Sequence, residues 1–242
     1  MWRNLLLIAL PYAAIGSFIA GHIWRYRKDK FGWTTRTSQL LERRWLAWGS
    51  PLFHFGALFV ILGHAAGLVI PASWTDAIGV SEETYHVAAL VMGTISGLVL
   101  CAGLVILLLR RFITSQRIRL VTRRMDYVVY ALLALEIVLG MWQTVVLNAM
   151  GNGYTYRPTL GVWFRSVLFL HPDLTVVSGV PAIFIVHIAV ACLIVAIWPF
   201  TRLVHVWSVP VAYLARPYVV YRRRAQAPAR PAVGRWPGTA ER

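Results

Sequence analysis

Apolar and polar positions fall in long blocks along this chain. Five apolar runs stand out: Leu5 to Trp24, Pro51 to Ile70, Thr84 to Leu109, Tyr127 to Met150 and Gly179 to Phe200. A helix rises about 1.5 Å per residue, so about 20 apolar residues cross a hydrocarbon core. Each run meets that length, and the pattern predicts an all-α integral membrane bundle of five transmembrane helices. The second helix is expected to open with Ser50 as N-cap and Pro51 in its first turn, with Trp45 and Trp48 as interfacial anchors. The first run has no small-residue cleavage site and reads as a retained helix. A shorter stretch, Leu160 to Leu170, suits an amphipathic helix lying in the interface, where it would roof a site.

Composition sharpens this picture. Of 242 residues, 58% are hydrophobic and 14% charged, against about a quarter charged in soluble domains. An ordinary soluble domain is excluded, and the spans leave no room for a separate catalytic domain. The formal charge of +15 is spread between apolar runs and forms no groove, so it reads as a topology signal and not as a nucleic-acid surface. Lys and Arg crowd the connection from Arg25 to Arg44, the connection from Arg110 to Arg124 and the tail after Phe200. Pro71 to Glu83 has none, and Gly151 to Ser178 has only Arg157 and Arg165. The positive-inside rule then places the N terminus outside and the C terminus in the cytoplasm. Residues 1–218 form the membrane domain, and 219–242, rich in Arg and Pro, form a cytoplasmic tail expected to be disordered. Cys101 and Cys192 lie inside apolar runs, which argues against a disulfide framework.

Four of the seven histidines fall on two helices: His54 and His64 on the second, His187 and His205 on the fifth and its extension. Those helices run in opposite directions, so His54 matches His205 in depth near the cytoplasmic face and His64 matches His187 near the outer face. Ten residues separate His54 from His64, about 15 Å along one side of a helix, and eighteen residues separate His187 from His205, about 27 Å. Pro199 lies between the latter two and is expected to bend or break the helix, absorbing the mismatch of about 12 Å. Ionisable side chains inside spans are uncommon and usually functional. Each pair can hold one metal, and a planar macrocycle gripped between facing helices needs one imidazole from each side. Packing histidines are the plain alternative for any one of them. Zinc is the rival metal, but its structural sites gather four ligands in one cluster. Gly56, Gly63 and Gly67 are small enough to let a flat ring approach, although Gly63 and Gly67 also suit helix packing.

Trp24-Arg25-Tyr26, Ser38-Gln39-Leu40-Leu41, Leu52-Phe53-His54, Gly63-His64 and the run Pro199-Phe200-Thr201-Arg202-Leu203-Val204-His205-Val206-Trp207-Ser208-Val209-Pro210 carry a family likeness from about Trp24 to Tyr218. The chain resembles the gamma subunit of membrane-bound respiratory nitrate reductase, a five-helix dihaem cytochrome b. The resemblance implies two b haems, the inner held by His54 and His205 and the outer by His64 and His187. It implies quinol, menaquinol or ubiquinol, oxidised near the outer face. Electrons would then pass to an iron-sulfur beta subunit and a molybdenum-containing alpha subunit on the cytoplasmic side of the inner membrane, where nitrate is reduced.

Further residues take candidate roles within that picture. His86, at the depth of His64, is placed to take a quinol proton or hydrogen bond, or is simply a polar interfacial residue. Arg110, Arg111 and Arg202 are candidate partners for inner-haem propionates and equally the basic residues that topology demands. Glu136 is the acid inside a span, either a packing element or part of a proton path. Asp126 is expected to pair locally with Arg123 or Arg124, and His22 to sit beside Trp24 as an interfacial pair. His171 has no evident partner.

Overall fold

The computed structural model describes residues 2–34, 37–114, 116–151 and 153–208. The expected tail at 219–242 and the last part of the 1–218 domain lie outside the described residues. Five helices are long and apolar enough to cross a membrane: α1 Trp2–Lys28, α2 Arg44–Val69, α3 Glu82–Ile113, α4 Arg124–Ala149 and α5 Ala182–Phe200. Each of the five runs read from the sequence lies almost wholly within one of them, and no strand occurs among the described residues. Helices suit this environment because hydrocarbon offers no partner for a free backbone N–H or C=O.

Helix ends follow local chemistry. Ser81 caps α3, its Oγ accepting from Thr84 N at 3.2 Å, with Glu82 and Glu83 in the first turn, where the helix dipole favours acids. α2 departs from expectation, because it begins at Arg44 and carries Pro51 inside it. The extra turns have two supports. Glu42 Oε1 accepts from Trp45 N at 2.9 Å, and Gly49 lies so close to α3 that a Cβ there would meet Ile106 at 2.8 Å. Packing and capping together outweigh the hydrogen bond that Pro51 cannot donate.

The helices pack in the order α2, α3, α4, α5, α1. Small residues allow the closest approaches. A Cβ on Gly56 would lie 2.5 Å from the backbone of Leu100, and Gly103 similarly meets the backbone of Phe53, so α2 and α3 touch main chain to main chain. Gly97 of α3 abuts Met141 of α4, and Gly21 of α1 abuts Pro199 of α5. Gly56 and Gly67 therefore serve packing, Gly67 against Tyr156, while Gly63 faces open space. α2 and α5 make little direct backbone contact.

A buried apolar cluster closes the end of the bundle opposite the arginine-rich connections. It joins Leu7 of α1, Phe184 and Ile185 of α5, and Leu160, Trp163, Val167, Val177 and Val180 of the connection between α4 and α5. Trp163 Nε1 donates to Leu7 O at 3.1 Å. The segment Leu160 to Leu170 turns one face into this cluster through Leu160, Trp163 and Val167, while Leu168, Phe169 and Leu170 are exposed, the two-sided pattern of an amphipathic helix.

Candidate functional site

At the basic end, α5 stops being α-helical at Ile197. A tight turn spans Trp198–Phe200, Thr201 is extended (φ −114°, ψ −178°), and a second tight helix runs over Arg202–Ser208. Pro199 supplies the break that the sequence suggested. Arg25, buried in α1, holds it: its Nη1 donates to Pro199 O at 2.5 Å and Thr201 O at 3.1 Å, and its Nη2 to Gly32 O at 2.6 Å. Asp126, in the first turn of α4, takes a two-pronged bond from Arg202, at 2.9 Å from Nε and 2.6 Å from Nη2. Asp126 therefore ties α4 to the segment beyond α5, a partner 76 residues away, and also caps its own helix through Arg123 N. Burial alone would lower the basicity of Arg202, but the bond and charge of Asp126 raise it above the ordinary value. Trp207 packs edge-on to Phe18 and His22 of α1, so His22 belongs to that aromatic cluster and does not stand beside Trp24.

These anchors deliver His205 to α2. The ring centroids of His54 and His205 lie 5.9 Å apart with planes crossing at 76°. At the other end, His64 and His187 are 6.1 Å apart with planes at 35°. One pair joins α2 to the segment after α5 and the other joins α2 to α5 itself. Nδ1 of His54 lies 2.7 Å from Ser50 O, that of His64 2.8 Å from Val60 O, and that of His205 2.7 Å from Arg202 O. Each carbonyl accepts from Nδ1 and so favours the tautomer in which Nε2, on the far side of the ring, is the nitrogen able to bind a metal. His187 Nδ1 lies 3.3 Å from Glu136 Oε1.

The spacing suits a metal between two imidazoles. Two metal–nitrogen bonds of about 2 Å, plus about 1.1 Å from each nitrogen to its ring centroid, give about 6.2 Å. Among the described residues no three His, Cys, Asp or Glu side chains gather around one point. The exposed ring of His64 leaves room for a flat group at the His64–His187 pair.

The candidate arginines have protein partners. Arg110, 2% exposed, donates from Nε to Glu42 Oε2 at 2.6 Å, from Nη1 to Ser38 Oγ at 2.9 Å, and from Nη2 to the carbonyls of Ser38 and Glu42. Burial acts to raise the pKa of Glu42, but the hydrogen bonds from Trp45 N and Arg110 and the charge of Arg110 win and lower it below the ordinary carboxylate value. Arg111 donates to Thr122 Oγ1 at 2.8 Å and stacks on Tyr130.

His86 lines a small pocket with Glu82, Tyr85, Ala89, Thr155, Tyr156 and Arg157. Sequence reasoning missed most of these walls. Arg157 is 3% exposed, bonds Glu82 Oε2 at 2.7 Å and lies 3.8 Å over the ring of Tyr85. Burial, with Tyr85 beside it, pushes the Tyr156 phenol well above its ordinary pKa, so it stays protonated. Arg157 did carry a signal: an arginine on the side of the bundle where topology calls for few has a local reason to be there.

A helical bundle of five spans that joins two histidine pairs, one above the other between two helices, is a multi-pass membrane protein built around paired imidazoles. The chain belongs to the nitrate reductase gamma subunit family, which it matches over residues 3–224. It is 44% identical over 216 residues to the nitrate reductase gamma chain of Bacillus subtilis (strain 168), covering 89% of this chain and 96% of that one. It is 34% identical over 215 residues to the respiratory nitrate reductase 1 gamma chain of Escherichia coli (strain K12), covering 88% and 94%. The nitrate reductase-like protein NarX of Mycobacterium tuberculosis (strain ATCC 25618 / H37Rv) is 45% identical over 227 residues, which is 93% of this chain but only 35% of the longer mycobacterial protein. Family and spans together make this a multi-pass inner-membrane protein of an oxidoreductase family.

Arg25→Met tests the anchoring of the break at Pro199. Buried carbonyls that lose their donors cost about 1–3 kcal/mol each. The expected result is a lower unfolding temperature and selective weakening of whatever His54 and His205 hold, read by thermal unfolding and by spectra of the bound group. An unchanged basic-end site would show that Arg25 does not hold it.

Proposed function

We propose that this chain is the dihaem cytochrome b subunit of a quinol:nitrate oxidoreductase. It takes electrons from quinol, menaquinol or ubiquinol, near the outer face and hands them to iron-sulfur beta and molybdenum-containing alpha subunits in the cytoplasm. The arrangement that carries this reading is the pair of facing imidazole couples at 5.9 and 6.1 Å, stacked along α2. Haem bound at each couple supplies a one-electron carrier. His54 and His205 hold the inner one and His64 and His187 the outer one.

The chain's own residues do the rest. Backbone carbonyls fix three of the four rings so that Nε2 alone is offered. The distribution of basic residues, with the N terminus outside, puts Arg110 and Arg111 at the cytoplasmic end. Arg111, with fewer bonds than Arg110, is the stronger propionate candidate of the two, and Arg202 acts first by holding the turn that bears His205. The fully exposed Phe31 and Leu40, and the nearly exposed Leu120, stand among the basic residues of the same end and offer apolar contact to the cytoplasmic subunits. At the outer end His86 receives a quinol hydroxyl proton or hydrogen bond, while Arg157, fixed by Glu82 and Tyr85, holds the wall of its pocket.

The test is a dithionite-reduced minus oxidised spectrum of the purified chain with pyridine haemochrome quantification. Two b haems per chain, both reducible by a quinol analogue, are expected. A folded, detergent-stable chain without haem would sink the proposal. His86→Phe is expected to slow quinol oxidation by about 100-fold, within the usual range for a lost acid–base group, while dithionite still reduces both haems. Unchanged quinol kinetics would remove His86 from the site.

A further inference from the structure

Three of the four paired histidines direct Nδ1 to a backbone carbonyl, and His187 does not. In a helix the natural acceptor for His187 would be the carbonyl of Ile183, one turn earlier, as Ser50 serves His54 and Val60 serves His64. Gln143 of α4 reaches across and donates to that carbonyl from Nε2 at 3.4 Å. Glu136, Gly140 and Gln143 are spaced i, i+4, i+7 and share the face of α4 turned to α5. Gly140 leaves space beside the ring, since a Cβ there would sit 3.4 Å from His187 Cε1. Glu136 then comes within 3.3 Å of His187 Nδ1. Nδ1 of His187 and Oε2 of Glu136 are buried with no hydrogen-bond partner among the described residues, so the Glu136 carboxyl, with Oε1 at 3.3 Å, is the nearby acceptor open to Nδ1. A small rotation of the ring brings Nδ1–H onto the carboxylate.

We propose that Glu136 is a positioning residue that orients His187 and makes it the most electron-donating of the four imidazoles, so that the two haem sites are unequal by construction. This rests on the dihaem reading above. A carboxylate accepts the Nδ1 proton more strongly than a peptide carbonyl does, and it raises the basicity of the nitrogen that binds metal. A more basic ligand with a carboxylate behind it favours the oxidised, more positive iron. The outer site is therefore held at lower potential than the inner site, whose histidines both face neutral carbonyls. Electrons entering beside His64 and His187 move downhill toward His54 and His205.

The experiment is a redox titration of the purified chain carrying Glu136→Gln, with the outer haem assigned by its absence in His64→Ala. At a fixed ambient potential the reduced-to-oxidised ratio of the outer haem is expected to rise about tenfold, a shift of about 59 mV for one electron. The inner haem stays where it was, and Glu136→Asp restores much of the difference. An outer potential that does not move, or an equal shift of both haems, overturns the proposal. If Glu136→Gln fails to retain the outer haem, Glu136→Asp decides: recovery of the haem near its original potential supports the role, and its absence overturns it. A wild-type chain with no haem would instead overturn the reading on which this rests.

Discussion

Under the proposed dihaem arrangement, His64→Ala is expected to leave one b haem of two, and His187→Ala to leave the same one. His54→Ala and His205→Ala each remove the other. The pairing rests on distance. Each imidazole faces its partner at about the separation that one metal ion requires, and the two couples lie ten residues apart on α2, about 15 Å. Removing either imidazole would leave a haem at that couple held from one side only, so the two variants of a couple should share one phenotype. The double variant His64→Ala/His187→Ala should match either single, because both steps remove the same centre. Haemochrome quantification and low-temperature reduced spectra read this directly. Quinol-driven nitrate reduction by the assembled complex should fall to background in all four. Loss of both haems in every stably folded single variant would show that the couples are not independent sites.

Arg110→Met is expected to destabilise the folded chain by about 3–5 kcal/mol, the usual cost of removing one partner from a buried ion pair. The guanidinium of Arg110 joins α3 to the Ser38 to Glu42 segment ahead of α2 through four hydrogen bonds, and its loss leaves Glu42 facing α3 without its counter-charge. Thermal unfolding in detergent measures the loss. Haem content distinguishes the two roles open to Arg110. A clamp predicts two haems retained in a less stable protein, whereas a propionate contact predicts that the inner haem dissociates first. Glu42 adds a pH dependence of known sign. Its folded pKa lies below the ordinary carboxylate value, so its stabilising contribution is complete above that ordinary value and is lost as pH falls through the depressed one. Arg110→Met should reduce that acid-side loss, leaving the part that the backbone hydrogen bonds of Trp45 and Arg44 supply.

The bundle and both histidine couples were legible because they depend on quantities a sequence displays: run length, charge between runs, and depth counted in residues. Even the mismatch of about 12 Å between the two helices pointed to Pro199, where α5 ends. What was not legible depends on which face meets which neighbour. Gly56 and Gly63 look alike in the sequence, yet one is pressed against Leu100 and the other has nothing within 4 Å of where a Cβ would stand. Arg110 and Arg202 read as topology residues because every arginine at that end does. Their partners, Glu42 and Asp126, are 68 and 76 residues away, and only folding brings them together. Ser50-Pro51 resembled a helix start because local signals carry no knowledge of Gly49 docking on α3.

Both couples draw one member from α5 or the segment after it, and this has a consequence for biogenesis. A ribosome that has delivered α1 through α4 to the membrane has made a chain in which His54 and His64 face lipid with no counterpart. His187 follows His64 by 123 residues, about 6–25 s of synthesis at ordinary elongation rates of 5–20 residues per second. Neither couple can close until the final helix inserts, and the basic-end couple waits further for Arg25 and Asp126 to seat the turn at Thr201. Truncated or stalled products would then be unable to hold the proposed haems from both sides, so haem retention would itself report that both helices have been made and threaded.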